Sequence, residues 1–177
     1  MTMSLDGFIN GANGGVALLY PDLKELDRTE LMQEAIRTTG AVIMGRRTFE
    51  MASDSDSYAD TYEFQVPIFV ITRQAPAKKP KENGRISFTF VDTVEAAIPQ
   101  AKQAAGEKDV AVVGGPNVGR QLLKAGLVDE LQIGIMPILL GEGQRLFEYL
   151  EGMQIKLKKT RLVETGQRTD IWFTAQG

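Results

Sequence analysis

Short apolar runs, mostly of β-branched residues, punctuate the chain at Ala41–Met44, Pro67–Thr72, Ile86–Val91, Val110–Val113 and Leu131–Leu140. Between them the apolar period changes. Leu31, Met32, Ala35 and Ile36 fall on one helical stripe, a second helical stretch runs from about Thr93 to Ala105, and a third from Asn117 to Ala125 turns Val118, Leu122 and Leu123 to one face. Strand-length runs alternating with helical segments predict βαβ units around a largely parallel sheet flanked by helices. Toward the end, Gln154–Glu164 and Thr169–Ala175 flank Thr-Gly-Gln-Arg, which predicts a C-terminal antiparallel hairpin. Pro137 lies inside the Leu131–Leu140 run and predicts a bulge or a sheet edge there, because proline brings no amide to a ladder.

Two segments are less regular. Ser53–Glu63, SDSDSYADTYE, reads as a solvated loop, with a lid over a pocket as the alternative. The opening MTMSLDGF leaves few residues before Asp6-Gly7, so either the first strand is short or the numbering begins inside a longer chain. No internal repeat or linker interrupts the 177 residues, and a single α/β domain is expected.

Composition narrows the chemistry. The 43% hydrophobic and 24% charged shares are those of an ordinary globular protein. A net charge of −3 argues against general affinity for nucleic acid or anionic membranes, so any anion site must be local. The absence of a long apolar run or a basic-then-apolar leader predicts a cytoplasmic protein. There is no cysteine, which removes thiolate nucleophiles and Cys-ligated zinc, and no histidine, which removes the usual general base and the commonest metal ligand. A Ser-His-Asp hydrolase is excluded, and no metal is expected. Acid–base chemistry falls to Asp, Glu, Lys, Tyr or water.

Against that background three strand ends stand out. Ala41–Met44 runs straight into Gly45-Arg46-Arg47-Thr48, which places two cations and a hydroxyl where a helix is expected to begin. Arginines at a helix start oppose its dipole unless an anion neutralises them. The competing reading has both arginines in solvent or paired with Glu50 and nearby acids. Val110–Val113 leads into Gly114-Gly115-Pro116-Asn117-Val118-Gly119, a strand, a glycine pair and a helix start, by which a backbone can approach a pyrophosphate. The glycine spacing is not GxGxxG, and a tight turn is the plain alternative. The third end is Thr72-Arg73. In open α/β sheets ligands gather at the carboxyl ends of strands.

Taken together, Ser4-Leu5-Asp6-Gly7, Val42–Glu50, Val70–Arg73, Val112–Asn117, Val128–Leu131 and Pro137–Gly143 resemble the dihydrofolate reductase fold. Within that fold, Ser-Leu-Asp-Gly and Pro-Ile-Leu-Leu-Gly favour the reductase domain of riboflavin biosynthesis. The resemblance implies NADPH as cofactor. It places Gly45, Arg46, Arg47 and Thr48 at the 2′-phosphate and neighbouring phosphates, and Thr72 and Arg73 beside the adenosine. Gly114, Gly115, Asn117 and Val118 would cradle the pyrophosphate, with the nicotinamide reaching toward Ser4–Phe8. Two arginines on one phosphate, at about 1.5–3 kcal/mol per charge-assisted bond, imply a preference for NADPH over NADH above tenfold. Folate reductases also carry a cis peptide between the paired glycines, which the resemblance transfers to Gly114–Gly115. A trans bond would leave Gly114→Ala nearly harmless to cofactor binding.

On the substrate side the resemblance puts Thr29 where folate reductases carry an acid on the first long helix, and threonine cannot ionise. Asp6 is then the candidate catalytic acid or substrate anchor beside Ser4, its alternative being a cap on the turn with Gly7. Glu142 reads as a solvated loop acid. Full-length riboflavin enzymes often add a zinc deaminase domain, whose histidine and cysteine ligands this chain lacks. The implied activity is hydride transfer from NADPH to a small heterocycle, as in a phosphoribosylaminouracil reductase. The alternatives are dihydrofolate or broad-specificity reduction, or a non-catalytic module that senses NADPH or a metabolite. A homodimer is expected, with a partner covering the edge left by Leu131–Leu140 and the hairpin.

Overall fold

The computed structural model describes residues 1–21 and 23–176. In chain order its elements begin with β1 (Thr2–Ser4), α1 (Leu23–Leu26), α2 (Glu30–Thr38), β2 (Thr39–Gly45), α3 (Arg46–Phe49), α4 (Tyr58–Thr61) and β3 (Ile68–Ile71). They continue with β4 (Phe88–Val91), α5 (Val94–Ala105), β5 (Asp109–Val112), α6 (Pro116–Lys124), β6 (Glu130–Met136), β7 (Lys156–Thr165) and β8 (Arg168–Gln176). The chain forms two compact units, one of residues 30–121 and the other of residues 1–29 with 122–177.

The 30–121 unit is built on a wholly parallel sheet in the order β4-β3-β2-β5. β2 has a neighbour on each side, and all but one of its residues are buried. A strand covered on both faces needs an unbroken apolar run, which explains why this element stands out so clearly. Helix α5 is capped by Thr93, whose Oγ1 accepts from the Ala96 amide at 3.2 Å, and it buries Val94, Ala97, Ala101 and Ala105 at helical spacing.

Ser53–Glu63 is not a solvated loop. Asp54 caps a short 3-10 turn at Ser55–Ser57 by accepting from the Asp56 amide at 3.0 Å, and α4 follows at once. Tyr58 and Ala59 are buried, with the Tyr58 ring stacked on Phe49 at 5.6 Å. The Tyr58 hydroxyl donates to the Phe49 carbonyl at 3.2 Å, and burial pushes that phenol up to about 12, so it remains a donor. Outside, Lys78 pairs with Asp56 and Lys81 reaches Asp60 at 2.6 Å. The aromatic anchor and these ties make the segment part of the core rather than a free lid.

The other unit has a mixed sheet in the order β1-β6-β8-β7. β1 is three residues long and runs parallel to β6, with Thr2 opposite Gly134 and Ser4 opposite Met136. β6 with β8 and β8 with β7 are antiparallel, so the expected terminal hairpin is present, turning at Gly166 with φ +59°. β6 stops at Met136 rather than continuing to Leu140, because Pro137 cannot extend the ladder. The expected open edge at Leu131–Leu140 is therefore absent, since β6 is flanked on both sides. The edges of the sheet are the three-residue β1 and the hairpin strand β7, so the hairpin does leave the open edge expected of it; β7 carries Lys156, Lys158, Lys159 and Arg161, a composition that discourages pairing with a further strand.

Candidate functional site

In the 30–121 unit the carboxyl ends of the neighbouring strands β2 and β5 converge on glycines. Gly45 ends β2 and starts α3, while Gly114 and Gly115 lead from β5 into α6. The Val113 amide donates to the Ile43 carbonyl at 2.9 Å, which holds β5 against β2 up to the glycine pair. Gly114 and Gly115 take φ values of +71° and +77°, and the bond between them is trans. The cis peptide implied by the folate reductases is thus replaced by two left-handed residues, which reverse the chain at a trans bond because neither bears a Cβ.

The packing here leaves no room for side chains. A Cβ on Gly115 would lie 3.1 Å from the Gly45 nitrogen and 3.3 Å from its Cα, and one on Gly114 would lie 2.6 Å from Thr48 Oγ1 and 2.7 Å from its Cγ2. Gly114→Ala is therefore not harmless to packing in the trans form. Val118 closes the cluster, its Cγ2 standing 3.4 Å from where a Gly45 Cβ would be. In α6 the Gly119 amide bonds the Gly115 carbonyl at 3.2 Å, Pro116 has no amide hydrogen, and no acid sits in the first turn. The amides of Asn117 and Val118 precede the helical ladder, and a negative group is favoured beside them. The Asn117 side chain is exposed and accepts from Gln121 Nε2 at 2.5 Å.

Beside this junction lies a cleft of about 190 Å³ floored by Phe49, Val70 and Phe90 and walled by Arg46, Glu50, Thr72 and Gln74–Ala77. Arg46 and Thr72, both candidate residues from the sequence, line this one cleft. Thr72 Oγ1 accepts from the Gln74 amide at 3.1 Å and donates to the Gln74 carbonyl at 2.9 Å, which fixes the start of the wall. Arg47 and Arg73 do not line the cleft; both are exposed, and neither makes an ion pair among the described residues. Arg46 itself pairs with Glu50, Nε to Oε1 at 2.6 Å. Helix α3 is a single turn, so the dipole argument for Arg46 and Arg47 has little helix behind it. The Gln-Ala-Pro-Ala wall carries no chemical signal in the sequence beyond small size.

The substrate-side candidates lie in the other unit and are committed to structure. Ser4 is fully buried; its Oγ accepts from the Phe8 amide at 2.9 Å and donates to Asp6 Oδ1 at 2.5 Å. Asp6 also accepts from the Leu140 amide at 3.1 Å on Oδ1 and from the Gly141 amide at 2.8 Å on Oδ2. Arg145, which sequence reading passed over, donates to the Asp6 carbonyl at 2.8 Å, and its guanidinium lies 4.3 Å from the centre of the Phe8 ring. The hydrogen bond from Ser4, then those from Gly141 and Leu140, hold the Asp6 carboxyl down to about 2. An acid so held is ionised at neutral pH and is no proton donor; Asp6 ties the 138–141 loop to the 4–8 loop. Ser4 has no hydroxyl to offer a substrate. Thr29 precedes α2 instead of lying on its face, and its hydroxyl donates to the Leu26 carbonyl at 2.7 Å. Glu142 is exposed.

The Asp6 arrangement predicts a pH effect. Its folded pKa lies below the ordinary 3.8, so the stabilisation is complete above about pH 4 and is lost as pH falls through 2. The difference in melting temperature between wild type and Asp6→Asn should shrink as pH is lowered across that window. A difference that stays constant would show that the carboxylate charge is irrelevant to the tie.

Residues 1–171 match the RibD C-terminal domain family. The uncharacterized protein YyaP of Bacillus subtilis is 24% identical over 176 residues, covering 94% of this chain and 88% of its own. A crystal structure of a protein from Shewanella sp. PV-4 assigned to riboflavin biosynthesis superposes with a TM-score of 0.78 at 21% identity, covering 100% of this chain and 97% of the other. Dihydrofolate reductase from Enterococcus faecalis, complexed with NADP(H), gives a TM-score of 0.64 at 17% identity over 99% of this chain and 94% of that one. The fold is that of the dihydrofolate reductases.

Proposed function

The chain belongs to the RibD C-terminal domain family, and from that premise we propose that it is an NADPH-dependent reductase acting on a small heterocycle, most closely a phosphoribosylaminouracil of the riboflavin-pathway type. The observation that carries the dinucleotide reading is the glycine junction. Gly45, Gly114 and Gly115 pack with no room for a Cβ, which brings the backbones of the two strand ends together, and the open amides of α6 follow directly.

The residues present fit the cofactor. Gly114, Gly115, Asn117 and Val118 would hold the pyrophosphate through the backbone. Arg46 would take the 2′-phosphate at the mouth of the cleft, with Thr72 and Gln74 at the ribose and the aromatic floor beneath the adenine. When bound, the nicotinamide supplies the hydride, and the protein contributes orientation and charge. Asp6, ionised and engaged with the Leu140 and Gly141 amides, is not the source of the accompanying proton. Thr29 counts against folate reduction, since a hydroxyl tied to a backbone carbonyl cannot supply an ionisable proton.

The test is NADPH oxidation measured separately with the phosphoribosylamino-pyrimidine and with dihydrofolate. The reading expects turnover of the pyrimidine to its ribitylamino product. Turnover of dihydrofolate alone would transfer the protein to the folate class, and NADPH binding without turnover of either would make it a sensor.

A further inference from the structure

We propose that Glu50 sets the dinucleotide specificity of the cleft, by competing with a 2′-phosphate for Arg46 and by accepting a hydrogen bond from a free ribose 2′-hydroxyl. The consequence is a site that admits NADH alongside NADPH. This inference rests on the dinucleotide reading above and deepens it.

Three observations carry it. The Arg46 and Glu50 side chains, at i and i+4, are both about half exposed and both line the same cleft. Their pair is made through Arg46 Nε at 2.6 Å, so the one guanidinium lining the cleft already faces a carboxylate. The neighbouring cations that would be expected to outweigh that carboxylate, Arg47 and Arg73, are exposed and do not line the cleft. One positive and one negative charge therefore meet the ribose position, with no local excess of positive charge.

The physical consequence differs for the two dinucleotides. A phosphate monoester carries between one and two negative charges near neutral pH. An exposed i,i+4 pair is weak, so such a phosphate can draw Arg46 from Glu50. The displaced carboxylate then stands beside the phosphate and repels it. A free 2′-hydroxyl meets no such repulsion. It can donate to Glu50, the kind of contact by which acids in Rossmann-type dinucleotide sites recognise the unphosphorylated ribose.

Calorimetric titration of the intact protein with adenosine 2′,5′-bisphosphate and with adenosine 5′-monophosphate tests this without recourse to activity. Glu50→Gln keeps size and hydrogen bonding but removes the charge. It is expected to tighten the bisphosphate by about five- to tenfold while changing the monophosphate by less than about twofold, the size of one unit charge about 4 Å from the phosphate in water. Glu50→Ala should also tighten the bisphosphate, and should loosen the monophosphate by taking away the hydroxyl's acceptor. Bisphosphate binding that is unchanged or weakened in Glu50→Gln, with both nucleotides still bound, overturns the inference and leaves the dinucleotide site standing; Glu50 would then merely orient Arg46. Failure of wild type and variants to bind either nucleotide overturns the inference together with the reading it rests on.

Discussion

Alanine at Gly115 is expected to destabilise the 30–121 unit by about 2–5 kcal/mol and to remove measurable NADPH binding. The estimate adds the cost of a left-handed L-residue, about 1–2 kcal/mol, to overpacking of about 1–3 kcal/mol. The new methyl would meet the Gly45 backbone at 3.1 and 3.3 Å, and a backbone held in the central strand has little freedom to retreat. Gly114→Ala should be comparable but separable. Its clash is with both γ atoms of Thr48, at 2.6 and 2.7 Å, so rotation about χ1 exchanges one contact for the other. Thr48→Ala removes both atoms and leaves only its Cβ, 3.2 Å away. The Thr48→Ala/Gly114→Ala double variant should therefore recover about 1 kcal/mol or more relative to additivity, the rest being the backbone term. Urea denaturation midpoints of the single and double variants check this. Additive effects would mean that Thr48 and Gly114 do not meet as described.

The second large effect is at Arg46. Arg46→Ala should weaken NADPH binding by at least tenfold, because a charge-assisted bond of about 1.5–3 kcal/mol is lost and each 1.4 kcal/mol is a factor of ten. NADH, which lacks the 2′-phosphate, should change by less than about threefold. The direction opposes that of Glu50→Gln, as expected of two charges acting on one phosphate from opposite signs. Equal losses for the two dinucleotides would place Arg46 away from the 2′-phosphate.

How much of this was legible depended on how local the physics was. The parallel sheet was legible because β2 is buried on both faces, and Ala41–Met44 could hardly be anything but a strand. The meeting of Arg46 with Thr72 followed from both lying at carboxyl ends of adjacent strands. Glu50 was recognisable as a partner of Arg46 from its spacing alone. Asp6 was harder, since its amide donors Leu140 and Gly141 lie more than 130 residues along the chain, and no local pattern distinguishes a tied carboxylate from a catalytic one. Tyr58 was hidden by its setting of serines and aspartates, although its burial depends only on a ring that reaches Phe49. At Gly114-Gly115 the residues specified a sharp turn, but a cis bond and two left-handed trans residues both satisfy that need, and the local sequence does not choose between them.

An amide-resolved NMR titration of the isotope-labelled protein with NADPH bears most directly on the dinucleotide site. Saturable shifts are expected at the amides of Gly45, Gly114, Gly115, Asn117 and Val118, with a second group at Thr72, Gln74 and Ala75. Saturable binding whose shifts spare the Gly114–Val118 amides would contradict the assignment, as would the absence of any saturable shift at millimolar NADPH.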